Sequence, residues 1–352
     1  MNFTQSLERA MVIGLLAVVG VVPAAEAEIW LSGAGASAPF PIYAQWLKTF
    51  SAATKGVRID YDPGGSGAGV AELIDEDVDF AASDAAMTDA QIEKVEQGVV
   101  VLPMLAAEIV LVYNLPGVDA LCLPRAVYPA IFSGAITKWN DPKIAEANPD
   151  VQLPDQEIAV VVRSDASGTS DALSAHLSVI DEEFKEKVGQ AMTPKWPGTS
   201  MFVTAKTSAD MANQVEQIAG SIGYLSRGYA LLRKLPVATL ENKAGQYIHP
   251  GSASAEAFLS AIEFPEGKLP GDKIPDLRAR VPDPEGDAAY PIITLTWMLF
   301  YAEQDDAKAD VLRRLIEYCI GESAQGLAPP LGYIPLPEPI IEKVRQAIRF
   351  IR

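Results

Sequence analysis

A chain of 352 residues with 28 Lys and Arg against 46 Asp and Glu carries a formal charge of −18, and its hydrophobic (49%) and charged (21%) fractions are those of a globular protein. The length suits about two domains with sizeable cores and excludes a disordered tail or a mini-protein. No basic run is present to neutralise a phosphate backbone, so nucleic acid is not an expected partner.

Residues 1–27 read as a secretory signal. Arg9 supplies the positive start, residues 10–22 (AMVIGLLAVVGVV) the apolar stretch, and Ala25-Glu26-Ala27 a small-x-small cleavage site. The apolar run is shorter than the roughly 20 residues that span a bilayer. Cleavage after Ala27 is expected, and no cysteine follows to carry a lipid. The expected product is soluble and exported.

Strand patterns fall at 28–31, 57–61, 78–81, 109–113, 158–162 and 292–301. Helical patterns fall at 41–50, 70–76, 90–96, 171–179, 210–217, 311–320 and 339–350. This alternation predicts an α/β protein with largely parallel sheets covered by helices on both faces. The Pro-rich stretch 264–284 (FPEGKLPGDKIPDLRARVPDP) reads as a surface excursion.

Cys122 and Cys319 could pair in an oxidising compartment. Cys319, however, continues the apolar stripe of Leu312, Leu315 and Ile316, where a cysteine packs as a small hydrophobe, so two unlinked thiols are expected. His176, His249 and two scattered cysteines do not make a zinc site, and no carboxylate-rich calcium loop appears. Neither a metal nor a cofactor is expected.

Three loops share one grammar. Residues 32–39 (SGAGASAP), 64–69 (GGSGAG) and 163–170 (RSDASGTS) each follow a strand and precede a helix. A helix start presents unpaired N–H groups with partial positive charge, glycine lets the backbone approach a ligand, and hydroxyls add rotatable donors. Any one loop alone is explained by an ordinary capped turn. Three together, one with Arg163 four residues before Ser167, point to an oxyanion. No dinucleotide fingerprint and no G-K-S/T loop is present, and a nucleophile elbow on Ser66 would need glycine where Ala68 stands.

A fourth segment, 78–85 (VDFAASDA), ends on Asp84, just before a capping box at Thr88 and Gln91. A solvated loop charge or a turn cap is one reading of Asp84. The other is an acceptor: an ionised carboxylate only accepts, so beside an oxyanion it repels unless the anion carries a proton. Hydrogen phosphate carries one near neutral pH and sulfate does not. The wrong anion would leave buried lone pairs facing each other.

These segments, as 33–46 (GAGASAPFPIYAQW), 61–70 (YDPGGSGAGV), 79–85 (DFAASDA) and 163–170 (RSDASGTS), resemble the four binding segments of the periplasmic phosphate-binding proteins of high-affinity Pst ABC transporters. The likeness continues in order through 136–141 (ITKWND), 195–197 (KWP), 222–224 (IGY), 290–293 (YPII) and 344–347 (VRQA). It implies the type II two-lobed periplasmic-binding-protein fold with phosphate in the interlobe cleft. By position it implies hydroxyl and amide donors at Ser37 and Ser66 and an amide at Ala38, with Asp84 as the acceptor. From the other lobe, Arg163 would donate with Asp165 orienting it, and Ser167, Gly168 and Thr169 would donate at the helix start.

The family usually shows Thr then Phe where this chain has Ser37 and Ala38, so the donors survive and an aromatic wall is lost. After Trp196 it often carries a longer glycine-rich loop than 198–206 (GTSMFVTAK) here. The expected organisation is lobe I from 28–109 plus 299–352, lobe II from 114–292, and hinge strands at 109–114 and 293–298. The expected role is a monomeric periplasmic receptor that captures inorganic phosphate and docks on an ABC permease, without catalysis. The alternatives are a receptor for arsenate or sulfate, a phosphoesterase using Ser66 or Ser167 with Asp84, and a secreted adhesion protein on the same fold.

Overall fold

Strand β4 (Val99–Asn114) organises the molecule, because two different sets of strands pair along its length. The computed structural model describes residues 28–251, 255–271 and 273–352; the predicted signal segment, 1–27, lies outside them. The other strands are β1 (Ile29–Gly35), β2 (Val57–Asp62), β3 (Phe80–Ser83), β5 (Cys122–Leu123), β6 (Ala159–Arg163), β7 (Phe202–Ala205), β8 (Ser221–Ser226), β9 (Thr239–Glu241), β10 (Tyr247–Ile248) and β11 (Ile293–Tyr301). Eight form one mixed sheet in the order β2-β1-β3-β11-β4-β8-β6-β7, and β10-β9-β5 form a small second sheet.

The first half of β4 pairs with β11, from Glu108 opposite Ile293 to Val99 opposite Tyr301, and β11 pairs in turn with β3. The second half, from Ile109 to Asn114, pairs with β8. The expectation of largely parallel sheets is corrected here. Pairs β1–β2, β1–β3, β6–β7 and β6–β8 are parallel, but the three central ladders, β3–β11, β11–β4 and β4–β8, are antiparallel. The antiparallel ladders belong to the two strands that join the flanking parallel blocks.

The sequence pattern marked only 109–113 of β4 as strand, because Pro103 interrupts the apolar run. Pro103 is tolerated at a β-bulge: the register with β11 shifts between Thr296 and Trp297, which face Leu105 and Pro103. All of β4 except Asn114 is buried.

Three helices begin earlier than the apolar pattern suggested: Ser66–Ile74, Gly168–Ile180 and Ser208–Gln217. They open on small residues, Ser66-Gly67-Ala68-Gly69, Gly168-Thr169-Ser170 and Ser208-Ala209, which carry no apolar stripe to read. Loops 64–69 and 163–170 therefore run into helix starts, whereas 32–39 ends before the helix that begins at Phe40. The capping box at Thr88 and Gln91 is present. Cys319 packs with Leu312, Leu315 and Ile316 in the core, and both cysteines are free thiols.

The Pro-rich stretch does not lie loosely on the surface. Leu269, Ile274 and Leu277 are buried, and the Leu277 carbonyl accepts from Trp297 Nε1 at 2.9 Å. Arg278 donates to the Met87 carbonyl at 2.7 Å and lies 2.8 Å from Asp89. Arg280 pairs with Asp171, and Asp283 takes both Nη atoms of Arg125. This strap thus ties the half of the sheet holding β3 and β11 to the helix Gly168–Ile180. Apolar residues at 269, 274 and 277 follow no helix or strand period, which hid their burial from a pattern reading.

Candidate functional site

The ends of β1, β3 and β6 and the starts of four helices converge on one buried point. Ser37, Ser66, Asp84, Arg163, Ser167 and Thr169 are each at most 3% exposed, although none is apolar. Buried polar groups need partners. Which partners they have defines the site.

Ser37 and Ala38 lie between β1 and the helix Phe40–Ala53, which has no side-chain cap, so the turn leaves its amides unclaimed. The Ala38 carbonyl accepts from Tyr333 Oη at 2.7 Å and from Ser226 Oγ at 2.9 Å. Ala38 carries no ring of its own; Tyr333 brings one to its carbonyl. Ser66 opens the next helix behind Gly65, whose φ of 121° suits glycine and whose Cα faces Asp165 so closely that a Cβ would lie 2.5 Å from Asp165 Oδ2. Ser66 Oγ accepts the Asp84 amide at 3.1 Å, which leaves the Ser66 proton to point elsewhere.

From the other side, Ser167 caps the helix Gly168–Ile180 by accepting the Ser170 amide at 3.2 Å. The helix places Gly168 and Thr169 as its first residues, with amides that have no intrahelical acceptor. Tyr224 on β8 ties this half together, its hydroxyl accepting the Arg163 amide at 2.9 Å and meeting Ser170 Oγ at 2.6 Å. Arg163 is held by Asp165 through two bonds of 2.6 Å, Nε to Oδ1 and Nη2 to Oδ2. Its Nη1 reaches Ser208 Oγ at 3.3 Å.

The two sides touch directly. The Gly67 amide donates to the Ala166 carbonyl at 2.8 Å, and Ser37 Oγ lies 2.9 Å from Ser208 Oγ. The nine residues singled out in the sequence, Ser37, Ala38, Ser66, Asp84, Arg163, Asp165, Ser167, Gly168 and Thr169, therefore come from both ends of the sheet to one place.

Asp84 stands apart from the rest. Its Oδ1 is buried without a hydrogen-bond partner among the described residues. Burial raises its pKa from the ordinary carboxylate value to about 6, opposed by the Thr296 hydroxyl, the charge of Arg163 and the Thr169 hydroxyl. Arg163 and Asp165 balance one another. The remaining carboxylate, Asp84, accepts only when ionised and lies among hydroxyls and amides.

Two contributors were not singled out from the sequence. Ser208 was hidden behind Thr207, which is the N-cap of its helix and accepts the Asp210 amide at 3.1 Å. Thr296 sits at the β11 bulge and meets Tyr43 Oη at 3.2 Å beside Asp84. The signal for it was present in Thr294 and Thr296, two hydroxyls in an otherwise apolar strand.

A two-lobed α/β fold with a buried polar point between its halves is the architecture of a solute receptor, and comparison with known proteins agrees. The family model of the PBP superfamily domain matches residues 22–323. The phosphate-binding protein PstS of Xylella fastidiosa is 34% identical over 317 residues, covering 89% of this chain and 83% of the relative. PstS of Pasteurella multocida is 35% identical over 319 residues, covering 90% and 88%. A high-affinity periplasmic phosphate-binding protein (PfluDING) solved with bound phosphate superposes with a TM-score of 0.70 at 21% identity, covering 90% of this chain and 93% of that one. The chain belongs to the PBP superfamily and, within it, to the PstS family of phosphate-binding proteins.

Proposed function

We propose that this protein captures inorganic phosphate between its two lobes in the periplasm and delivers it to the permease of an ABC importer. The observation that carries the reading is the unpartnered Asp84 Oδ1 in a pocket otherwise made of donors. A tetrahedral oxyanion fills the donors of Ser37, Ala38, Ser66, Arg163, Ser167, Gly168 and Thr169. Its single proton fills Asp84. Asp165 acts through Arg163 by fixing the guanidinium plane.

Binding and closure are one event in this account. We assign 28–109 with the C-terminal segment to lobe I and 114–292 to lobe II. The pivot lies where β4 changes partner between Glu108 and Ile109, beside the Ile109 amide that donates to the Ile292 carbonyl at 2.8 Å. Each lobe presents half of the donors, so the anion stabilises the closed arrangement over the open one. The protein acts as a monomer, after removal of residues 1–27.

Capture without chemistry is favoured over hydrolysis. Ser66 Oγ is engaged by the Asp84 amide and Ser167 Oγ by the Ser170 amide, and neither bonds to a histidine. His176 is occupied by Tyr128 and the Pro282 carbonyl. The test is a thermal melt of ligand-stripped protein with increasing phosphate. A melting temperature that climbs with phosphate concentration is expected, because a ligand bound only to the folded chain stabilises it by mass action. No shift at millimolar phosphate would contradict the reading.

A further inference from the structure

We propose that Ser208 is a positioning residue that makes Ser37 an obligate hydrogen-bond donor in the closed cleft. The inference rests on the anion-binding reading above and extends it to a residue outside the binding segments.

Ser208 is fully buried at the start of the helix Ser208–Gln217. Its Oγ lies 3.3 Å from Arg163 Nη1 and 2.9 Å from Ser37 Oγ. Its amide donates to the same Ser37 oxygen at 3.1 Å. A guanidinium only donates, and a hydroxyl offers one proton and two lone pairs. Two proton arrangements between the serines are possible.

If Ser37 donates to Ser208, then Ser208 Oγ accepts from both Arg163 and Ser37, and its own buried proton has no acceptor among the described residues. That arrangement carries the cost of an unmade hydrogen bond. If Ser208 donates to Ser37, the buried Ser208 proton has its acceptor, and every group is satisfied once a ligand oxygen accepts from Ser37. Both lone pairs of Ser37 are then filled, by the Ser208 amide and hydroxyl, and the Ser37 proton is the one left for the cleft. The chain Arg163 to Ser208 to Ser37 runs in one direction with a fixed cation at its head, and such chains strengthen along their length.

The consequence is selectivity by proton count. Ser37 has no lone pair left for a proton of the ligand, whereas Asp84 accepts one. A phosphate dianion, with one proton, fits both. In the monoanion a second proton loses Ser37 as a possible acceptor. The wire also crosses the cleft, since Ser37 follows β1 and Ser208 follows β7, so it forms only when the halves meet. The charged and titratable groups around the two serines are Arg163, Asp165 on its other edge, Asp84, Tyr61 on the Ala36 carbonyl, Tyr333 on the Ala38 carbonyl, and Asp210 on the Lys206 amide. All are common to wild type and variants, so a difference between them reports Ser208.

The test is calorimetric titration with inorganic phosphate at about pH 8 and about pH 6, on wild type, Ser208→Ala and Ser208→Thr. Wild-type affinity is expected to fall toward acid as the dianion is depleted. Ser208→Ala is expected to bind about tenfold more weakly at the higher pH and to lose less toward acid, because Ser37 regains a lone pair. Ser208→Thr, which keeps the hydroxyl, restores both behaviours. A Ser208→Ala protein that matches wild type at both pH values overturns the proposal. So does one weakened equally at both, since Ser208 would then be a packing residue. A wild type that binds no phosphate at either pH overturns the anion reading itself, and the proposal with it.

Discussion

Gly168, the first residue of its helix, packs directly on Ser66, the first residue of another: a Cβ at position 168 would stand 2.6 Å from Ser66 Oγ and 2.8 Å from the Ala85 amide nitrogen. The two helix starts therefore meet with no room for a methyl group. Gly168→Ala is expected to leave each lobe folded and to obstruct closure. Phosphate affinity should fall roughly 10- to 100-fold, the equivalent of 1–3 kcal/mol of overpacking. Calorimetry beside circular dichroism checks this, and wild-type affinity in the variant would show that the two helix starts do not need to meet.

Asp84 gives a prediction with a definite sign. Its carboxyl is raised from 3.8 to about 6 in the fold. The folded state therefore holds a proton that the unfolded state has lost, and the stability this contributes is present below pH 3.8 and lost as pH rises through about 6. Without ligand, Asp84→Asn should stabilise the protein at pH values above about 7 by on the order of 3 kcal/mol, with the gain vanishing below about pH 4. The same variant should bind phosphate with less preference over sulfate, since an amide donates where the carboxylate repelled. Paired melting curves across pH decide the first point. A variant less stable than wild type at high pH would contradict the burial argument.

His176 titrates in the opposite sense. Burial lowers its pKa to about 4 between Tyr128 and the Pro282 carbonyl. The unfolded chain takes up a proton that the folded chain refuses, so this stability is intact above pH 6.5 and lost as pH falls toward 4. Replacing His176 with Gln should flatten the acid limb of the stability profile over that interval. An unchanged slope would place the acid sensitivity elsewhere.

The strap suggests a kinetic experiment. Arg278 holds the Met87 carbonyl and Asp89, three and five residues beyond Asp84, while Arg280 holds Asp171, two residues beyond Thr169. With the lobes divided as proposed, the Arg278 contacts to Met87 and Asp89 cross the cleft and would be strained on opening, whereas Arg280–Asp171 stays within one lobe. Arg278→Ala is expected to speed phosphate release about fivefold with little change in the association rate, in keeping with one charge-assisted bond near the surface. Stopped-flow release that is unchanged would mean the strap travels with one lobe and does not hold the cleft.

The loops that meet at the buried point were legible in the sequence because glycine, serine and a following helix pattern are local signals, and Ser37, Ser66 and Gly168 needed only their neighbours to be singled out. Asp84 was legible through its chemistry, as a carboxylate ending an apolar strand. What the sequence concealed depends on contacts distant along the chain. Ser208 matters because it meets Ser37, 171 positions away. Pro103 reads as a strand breaker until the bulge opposite Thr296 explains it. Leu269, Ile274 and Leu277 follow no period because the strap they anchor is irregular, and the antiparallel centre of the sheet follows from β4 and β11 lying between the two parallel blocks.

One buried carboxylate among many donors is expected to select an oxyanion that carries a proton. This selection is tested most directly by calorimetric titration of ligand-stripped protein with phosphate, sulfate and arsenate in turn, above neutral pH. Phosphate should bind one per chain, arsenate should compete because its shape and protonation are nearly the same, and sulfate should bind far more weakly. Sulfate binding as tightly as phosphate, with Asp84 intact, would contradict the account.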